Sequence, residues 1–387
     1  MRFFKTKFAS IFSHPKLLSL ILIFIISIFA VYSFHGSSTQ MLTSLEMRHI
    51  GFLKVHKAGG STIQNILFRF GLSRDLSTVI PQTKYKLSDY GKRPNPLLEK
   101  HRKHFDILAI HSVYDEFVFA SLLPDDTVNI AIVRDPLELM ISGAYYYRDV
   151  EDMPYLKKVP REKFIRNLIE YPELYDERVL SWTRNSMAMD FGFPNNLHVM
   201  DTAKVAEYLA YLNEKFSLVM VMERFEESLI LLKRLLQWKL KDVLYMPINA
   251  HSHNAKDSQN LTSSLIGKFE LRNFLDVEIY KNFSGIFSER VAKARDGFQD
   301  EVQHFKNVLT KVWDFCCSRE KVIGAEYYVK GSAWSEPFIV NSNECEYMFV
   351  QELQFIDLIR KKVLTGSKIV TKSSDTRKAR VCNGLNA

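Results

Sequence analysis

One stretch of the chain concentrates residue types that can do chemistry: His56-Lys57-Ala58-Gly59-Gly60-Ser61-Thr62. Two adjacent glycines let backbone N–H groups approach an anion closely, and Ser61 and Thr62 add hydroxyl donors or cap a helix start. Lys57 brings a full positive charge to the same loop, and His56 a group that can accept a proton near neutral pH. Gly-x-x-x-x-Gly-Lys-Ser/Thr is absent; here the lysine precedes the glycines, so the loop is not a nucleotide-kinase phosphate loop. Three further sites stand at the ends of apolar runs. His111 closes Phe105-Asp-Ile-Leu-Ala-Ile. Arg134 follows Val128-Asn-Ile-Ala-Ile-Val, with Ser142 eight residues on. A guanidinium and a hydroxyl so spaced can converge on one phosphate. Asn185 and Asp190 lie in Thr183-Arg-Asn-Ser-Met-Ala-Met-Asp-Phe-Gly-Phe193, a helix pattern ending at Gly192.

The elements that must position these groups are legible as periodicity. Residues 50–55, 105–111, 128–133 and 216–222 read as short buried strands, and residues 63–70 repeat apolar side chains at helical spacing. Residues 72–104, punctuated by Pro81, Gly91, Pro94 and Pro96, read as a surface excursion. Residues 161–215 and 265–330 have helical patterns, and Leu229, Leu232 and Leu236 read as the buried face of a further helix. Strands alternating with helices imply an α/β fold, in which ligands bind beyond the carboxyl ends of parallel strands. The triple tyrosine Tyr145-Tyr146-Tyr147 reads as core for at least one ring, with a wall for an adenine or a sugar as the other use.

Lys-x-Gly-Gly-Ser-Thr after a strand resembles the 5′-phosphosulfate loop of sulfotransferases that use 3′-phosphoadenosine 5′-phosphosulfate (PAPS). Arg134-Asp135-Pro136 with Ser142 resembles their 3′-phosphate block. The wording Phe-Leu-Lys-Val-His-Lys…Ser-Thr-Ile-Gln-Asn-Ile-Leu-Phe-Arg-Phe-Gly, with Arg184-Asn185…Asp190-Phe-Gly192 and the run 216–250, is similar to the galactose-3-O-sulfotransferase family over about residues 48–360. The resemblance implies a P-loop-NTPase-like sulfotransferase fold with a mostly parallel sheet flanked by helices. It implies transfer of a sulfuryl group from PAPS to the 3-hydroxyl of a galactose on a glycolipid or glycan. Lys57, Gly60, Ser61 and Thr62 would hold the 5′-phosphate, and Arg134 and Ser142 the 3′-phosphate. His111 and His56 are the candidate bases. Position beyond the second strand favours His111, and His56 and Lys54 could instead contact the donor sulfate. Asn185 and Asp190 would meet the acceptor. The loop departs from the family pattern, because Ala58-Gly59-Gly60 replaces hydroxyl side chains, so backbone amides must supply those contacts. The rival readings are a Golgi sulfotransferase of the glycosaminoglycan 2-O type and a non-catalytic glycan-binding protein that kept the fold.

The 387 residues carry a net charge of +8, but the basic excess sits in residues 1–16 and 361–387, and the body between is near neutral. That distribution excludes a nucleic-acid interface across the folded part. Residues 17–34 hold no charge and follow a basic flank, so they read as an uncleaved transmembrane signal-anchor. The expected organisation is a cytoplasmic tail (1–16), the anchor (17–34), a stem (35–48), a luminal catalytic domain (49–360) and a mobile basic tail (361–387). The resemblance and this organisation imply a single-pass Golgi membrane protein. Its partners are a galactose-terminated acceptor and the membrane, with a homodimer left open. Sequons at Asn260 and Asn282 are glycosylation sites in that topology. Cys316, Cys317, Cys345 and Cys382 would all be luminal, with Cys345 bridged to Cys316 or Cys317. No metal is expected: His251-Ser-His253 lacks nearby acids, and Asp-x-Asp is absent.

Overall fold

The computed structural model describes residues 46–83, 85–87, 95–97, 103–176, 181–194, 197–247, 261–294, 297–318, 324–366, 378 and 381–382. Its centre is a strand that the sequence makes fully apolar, β1 (Ile50–Leu53), buried at every position. Near-continuous apolar runs of this kind belong to parallel sheets covered on both faces. After β1 the chain forms α1 (Gly60–Ser73), then β2 (Thr78–Val79) and β3 (Ile107–Leu108). α2 (Glu116–Leu122), β4 (Val128–Val133), α3 (Pro136–Asp149), α4 (Phe164–Glu170), α5 (Ser186–Asp190) and α6 (Thr202–Lys215) follow. Next come β5 (Leu218–Val221), α7 (Phe225–Leu236), α8 (Ser263–Arg272), α9 (Phe274–Lys293) and α10 (Phe298–Cys317). The described chain closes with β6 (Glu326–Val329), β7 (Phe338–Asn341), α11 (Ser342–Phe349) and α12 (Glu352–Thr365).

The main sheet has the order β2-β3-β1-β4-β5, and all its pairings are parallel. The chain leaves β1 towards β2, returns to β3, then passes to the other side of β1 for β4 and β5. β1 is therefore the switch point, and the ends of β3, β1 and β4 lie side by side. β6 and β7 form a separate antiparallel pair. The expected parallel α/β sheet flanked by helices is present. β2, two residues long, lies within the stretch expected to be an excursion, and β6 and β7 lie partly within and beyond a stretch expected to be helical.

Local chemistry starts the helices at the site. Asp135 accepts N–H bonds from Leu137 and Glu138, both 3.0 Å, and Pro136 occupies the first helical position of α3. Such a cap with proline fixes where a helix begins, so Arg134 is held at the junction of β4 and α3. α1 begins differently. Gly59, at φ 81°, is its N-cap, and no side chain caps it; Ser61 and Thr62 sit in the first turn, not at the capping position. A Cβ at Gly59 would lie 2.4 Å from Met222 Sδ, so both the backbone angle and the space demand glycine.

Leu229, Leu232 and Leu236 are fully buried, as the spacing predicts; each such burial is worth about 1.5–3 kcal/mol. A second cluster joins α3, α4 and α8 through Ile141, Ala144, Phe164, Leu168, Leu265 and Phe269. Cys316 is bonded to Cys345, one of the two partners open from sequence, and Cys317 to Cys382. α12 runs to Thr365, past the expected domain limit, and Cys382 is buried within the segment expected to be a mobile tail. Among the described residues no helix is long and apolar enough to cross a membrane. The apolar segment 17–34, Asn260, His251 and His253 lie outside the described residues.

Candidate functional site

The loop between β1 and α1 has two flanks. On the β4 flank, Lys57 adopts φ 59°, a left-handed conformation that costs a non-glycine residue about 1–3 kcal/mol. Its carbonyl accepts a bond from Arg134 Nη1 at 3.0 Å, which ties the loop to the end of β4. Its ammonium lies over the Tyr146 ring, 3.9 Å from the centroid. Burial, with the Arg134 charge adding, lowers the Lys57 pKa to about 8. Glu138, Ser142 and Tyr146 recur every fourth residue along α3 and so share a face; Glu138 lies 3.6 Å from Arg134. Tyr147, by contrast, is buried and stacks on Trp182, so one of the three tyrosines is core. Gly60 packs on Lys54, whose Cγ would lie 2.8 Å from a Cβ there.

On the β3 flank two imidazoles stack. The rings of His56 and His111 are 3.9 Å apart with 18° between planes. His56 Nδ1 lies 2.8 Å from Asp190 Oδ1, and the His56 backbone N–H donates to Oδ2 at 2.7 Å. A carboxylate only accepts, so His56 carries its proton on Nδ1 and presents a lone pair at Nε2. That Nε2 is buried and has no hydrogen-bond partner among the described residues. Asp190, read from sequence as an acceptor contact, is 3% exposed and held by His56. α5, which carries it, is capped by the buried Asp276, which accepts from Ala188 N–H at 2.8 Å and Met187 N–H at 3.2 Å. Asn185, the other acceptor candidate, donates its backbone N–H to Asn273 at 2.9 Å, and its side chain turns to the start of α9.

His111 is not in β3 but three residues past its end. Its Nδ1 lies 3.1 Å from the Lys54 carbonyl, so the proton is on Nδ1 here too. Burial, with His56, Lys54 and Lys86 adding, holds its pKa well below the usual imidazole range. Lys54, read as a donor contact, is 1% exposed; its ammonium meets Gln64 Oε1 at 3.0 Å and Glu352 Oε1 at 2.5 Å. Burial lowers its pKa, and Glu352 opposes that.

The loop, His111 and the Arg134–Ser142 pair thus come from three adjacent strand ends. Sequence reasoning missed Glu352, Trp182, whose ring is 4.9 Å from His56, and the His56–Asp190 pairing. The last joins residues 134 apart, and nothing in local spacing announces it. Asn282 lies on α9 with its amide bonded to Asn213 at 2.8 Å. Among the described residues no group of three or more His, Cys, Asp or Glu could hold a metal ion.

The cradle fits a phosphosulfate in kind. A helix N-terminus, a lysine and an arginine belong to one loop and the strand end tied to it, and the buried Nε2 of His56 has no partner among the described residues. Comparison with known proteins gives the family. Residues 19–334 match the family Galactose-3-O-sulfotransferase. The chain is 31% identical to galactose-3-O-sulfotransferase 3 of Mus musculus over 285 residues, 71% of this chain and 64% of the relative. It is 30% identical to galactosylceramide sulfotransferase of Homo sapiens over 276 residues, 70% and 64% respectively. It is 30% identical to galactose-3-O-sulfotransferase 2 of Mus musculus over 253 residues, 62% and 61%. The match therefore spans less than two thirds of these curated relatives' length.

Proposed function

Because this chain belongs to the galactose-3-O-sulfotransferase family, we propose that it transfers a sulfuryl group from PAPS to the 3-hydroxyl of a galactose residue on a glycolipid or glycan. The observation that carries this reading is the division of one loop between cations on one flank and an oriented, unengaged imidazole on the other. The acceptor oxygen attacks sulfur, an O–S bond forms, and the S–O bond to the 5′-phosphate breaks. The hydroxyl proton passes to His56 Nε2, and the imidazolium later releases it to solvent. Asp190 holds the tautomer and offsets the imidazolium charge, as the third member of a triad does. Sequence position favoured His111 as base; His56 is preferred because its Nδ1–H faces a carboxylate rather than a neutral carbonyl.

Lys57 offsets charge on the departing phosphate, with the amides of Gly60 and Ser61 beside it. Arg134 and Ser142 hold the 3′-phosphate and select PAPS. No metal enters this scheme. The protein would sit in the Golgi membrane through residues 17–34 with the catalytic part in the lumen. The two disulfides support an oxidising compartment. The test is transfer of labelled sulfate from PAPS by the full chain to galactosylceramide, lactose and Gal-β-GlcNAc. Label on galactose that blocks periodate cleavage of the ring is the expected result. PAPS binding with no label on any galactoside would overturn it.

A further inference from the structure

Glu352 reaches the site from α12, beyond the 19–334 segment that matches the family. It is not a loosely placed surface residue. Asn65 on α1 donates to the carbonyls of Tyr347 and Val350, both at 3.0 Å, and so fixes the end of α11 just before it. The Cys316–Cys345 bond ties α11 to α10. Phe355 and Ile356 are buried, and the Phe355 ring lies 5.4 Å from Phe68 on α1. Glu352 Oε1 is 2.5 Å from Lys54 Nζ and 3.8 Å from His111 Nε2, and Ser61 Oγ donates to Oε2 at 3.3 Å.

A lysine buried beside a stacked histidine pair, one of which takes the transferred proton, is a liability. Its charge opposes an imidazolium nearby, and in a poorly solvated interior the opposition is strong. The groups facing His111 are Lys54, Lys86, the rings of His56 and Tyr85, and Glu352. Those facing His56 are Asp190, the Trp182 ring and His111. On the His111 side two lysines stand nearby, and Glu352 is the acidic group that meets Lys54.

We propose that Glu352 is a positioning residue of the transfer centre, acting through Lys54: its carboxylate neutralises that buried ammonium so that the stacked histidine pair can hold a proton. The inference rests on the sulfotransferase reading for its kinetic readout. It deepens that reading by adding a residue from outside the family-matched segment.

The test compares the full-chain wild type with Glu352→Gln, Glu352→Asp and the double variant Lys54→Met/Glu352→Gln. The acidic limb of the kcat–pH profile is measured at saturating PAPS and galactoside, with the Kd for 3′,5′-adenosine bisphosphate alongside. Glu352→Gln should lower kcat about 10-fold or more and move the acidic limb down by about one pH unit, as loss of a neighbouring opposite charge does. Product affinity should stay within about twofold. Glu352→Asp should keep the limb near its wild-type place, and the double variant should return it there. An unmoved limb in Glu352→Gln overturns the proposal, even if thermal stability falls. So does a limb that moves but is not restored in the double variant, which would mean direct action on His111. A tenfold gain in product affinity would make Glu352 a competitor for the donor and also overturn it. If the wild type transfers no sulfate, the functional reading alone fails. The His111 titration, followed by NMR of histidine-labelled full chain, then decides: a lower midpoint in Glu352→Gln upholds the proposal, and an unchanged one ends it.

Discussion

Lys54 and Lys57 leave the same strand end within one turn of loop, yet they meet opposite surroundings. Lys54 turns under the loop to the β3 flank, where Glu352 and Gln64 engage its ammonium out of solvent. Lys57 turns to the β4 flank, where an aromatic face and the Arg134 guanidinium are its neighbours. A compensated lysine is electrically quiet; a lysine beside another cation, with Glu151 only partly offsetting it, favours an anionic partner. In the proposed reading the β3 flank, with two imidazoles and the carboxylates of Asp190 and Glu352, moves a proton. In the same reading the β4 flank, with Lys57, Arg134 and Ser142, holds phosphates. One loop serves both because β1 is the switch point of the sheet.

The predictions test that division. The largest effect belongs to Lys57→Ala, which removes the charge proposed to face the leaving phosphate: transfer should fall about 10²–10³-fold, measured as kcat/KM with labelled PAPS. A loss under tenfold would move the leaving-group role elsewhere. Asp190→Asn should come next, with kcat down about 10²-fold and donor affinity little changed, because the His56 tautomer is no longer imposed. A rise in acceptor KM at unchanged kcat would instead return Asp190 to substrate contact. Arg134→Ala should raise the donor KM about 10–100-fold, the range of a charge-assisted hydrogen bond. The smallest effect is that of pH.

Lys57 with its pKa lowered to about 8 loses its charge as pH rises through that value. Donor binding to the free enzyme should therefore weaken above about pH 8, up to tenfold per unit. The sign for stability is the reverse. Between about pH 8 and the unbound lysine value of 10.5, the unfolded chain holds the extra proton, so this residue makes folding more favourable as pH rises there. A chemical-denaturation series across pH 8–10 checks it.

The phosphate flank was legible in the sequence because its parts are local. Lysine, glycines and hydroxyls stand in consecutive residues, and Arg134-Asp135-Pro136 is a strand end, a cap and a first helical position in order. The four longer apolar runs gave the parallel strands for the same reason. The proton flank was half legible. His56 and His111 lie beyond strand ends, but their partners arrive from 134 residues away in one case and from the last described helix in the other. Asp190 reads from sequence as an ordinary polar residue near a helix end, and Glu352 as a first-turn carboxylate, favourable at any helix N-terminus. Only the packing of α5 and α12 gives them chemical meaning. β2 and the β6–β7 pair, at two and four residues, are too short for alternation to register.

The most direct test of the two-flank account is to run His56→Ala and Arg134→Ala side by side, measuring affinity for 3′,5′-adenosine bisphosphate and single-turnover transfer of labelled sulfate to a β-galactoside. The account predicts that His56→Ala binds the nucleotide as the wild type does and transfers about 10²-fold more slowly, whereas Arg134→Ala binds weakly but transfers when saturated. Loss of nucleotide binding in His56→Ala, or transfer at the wild-type rate, would contradict it.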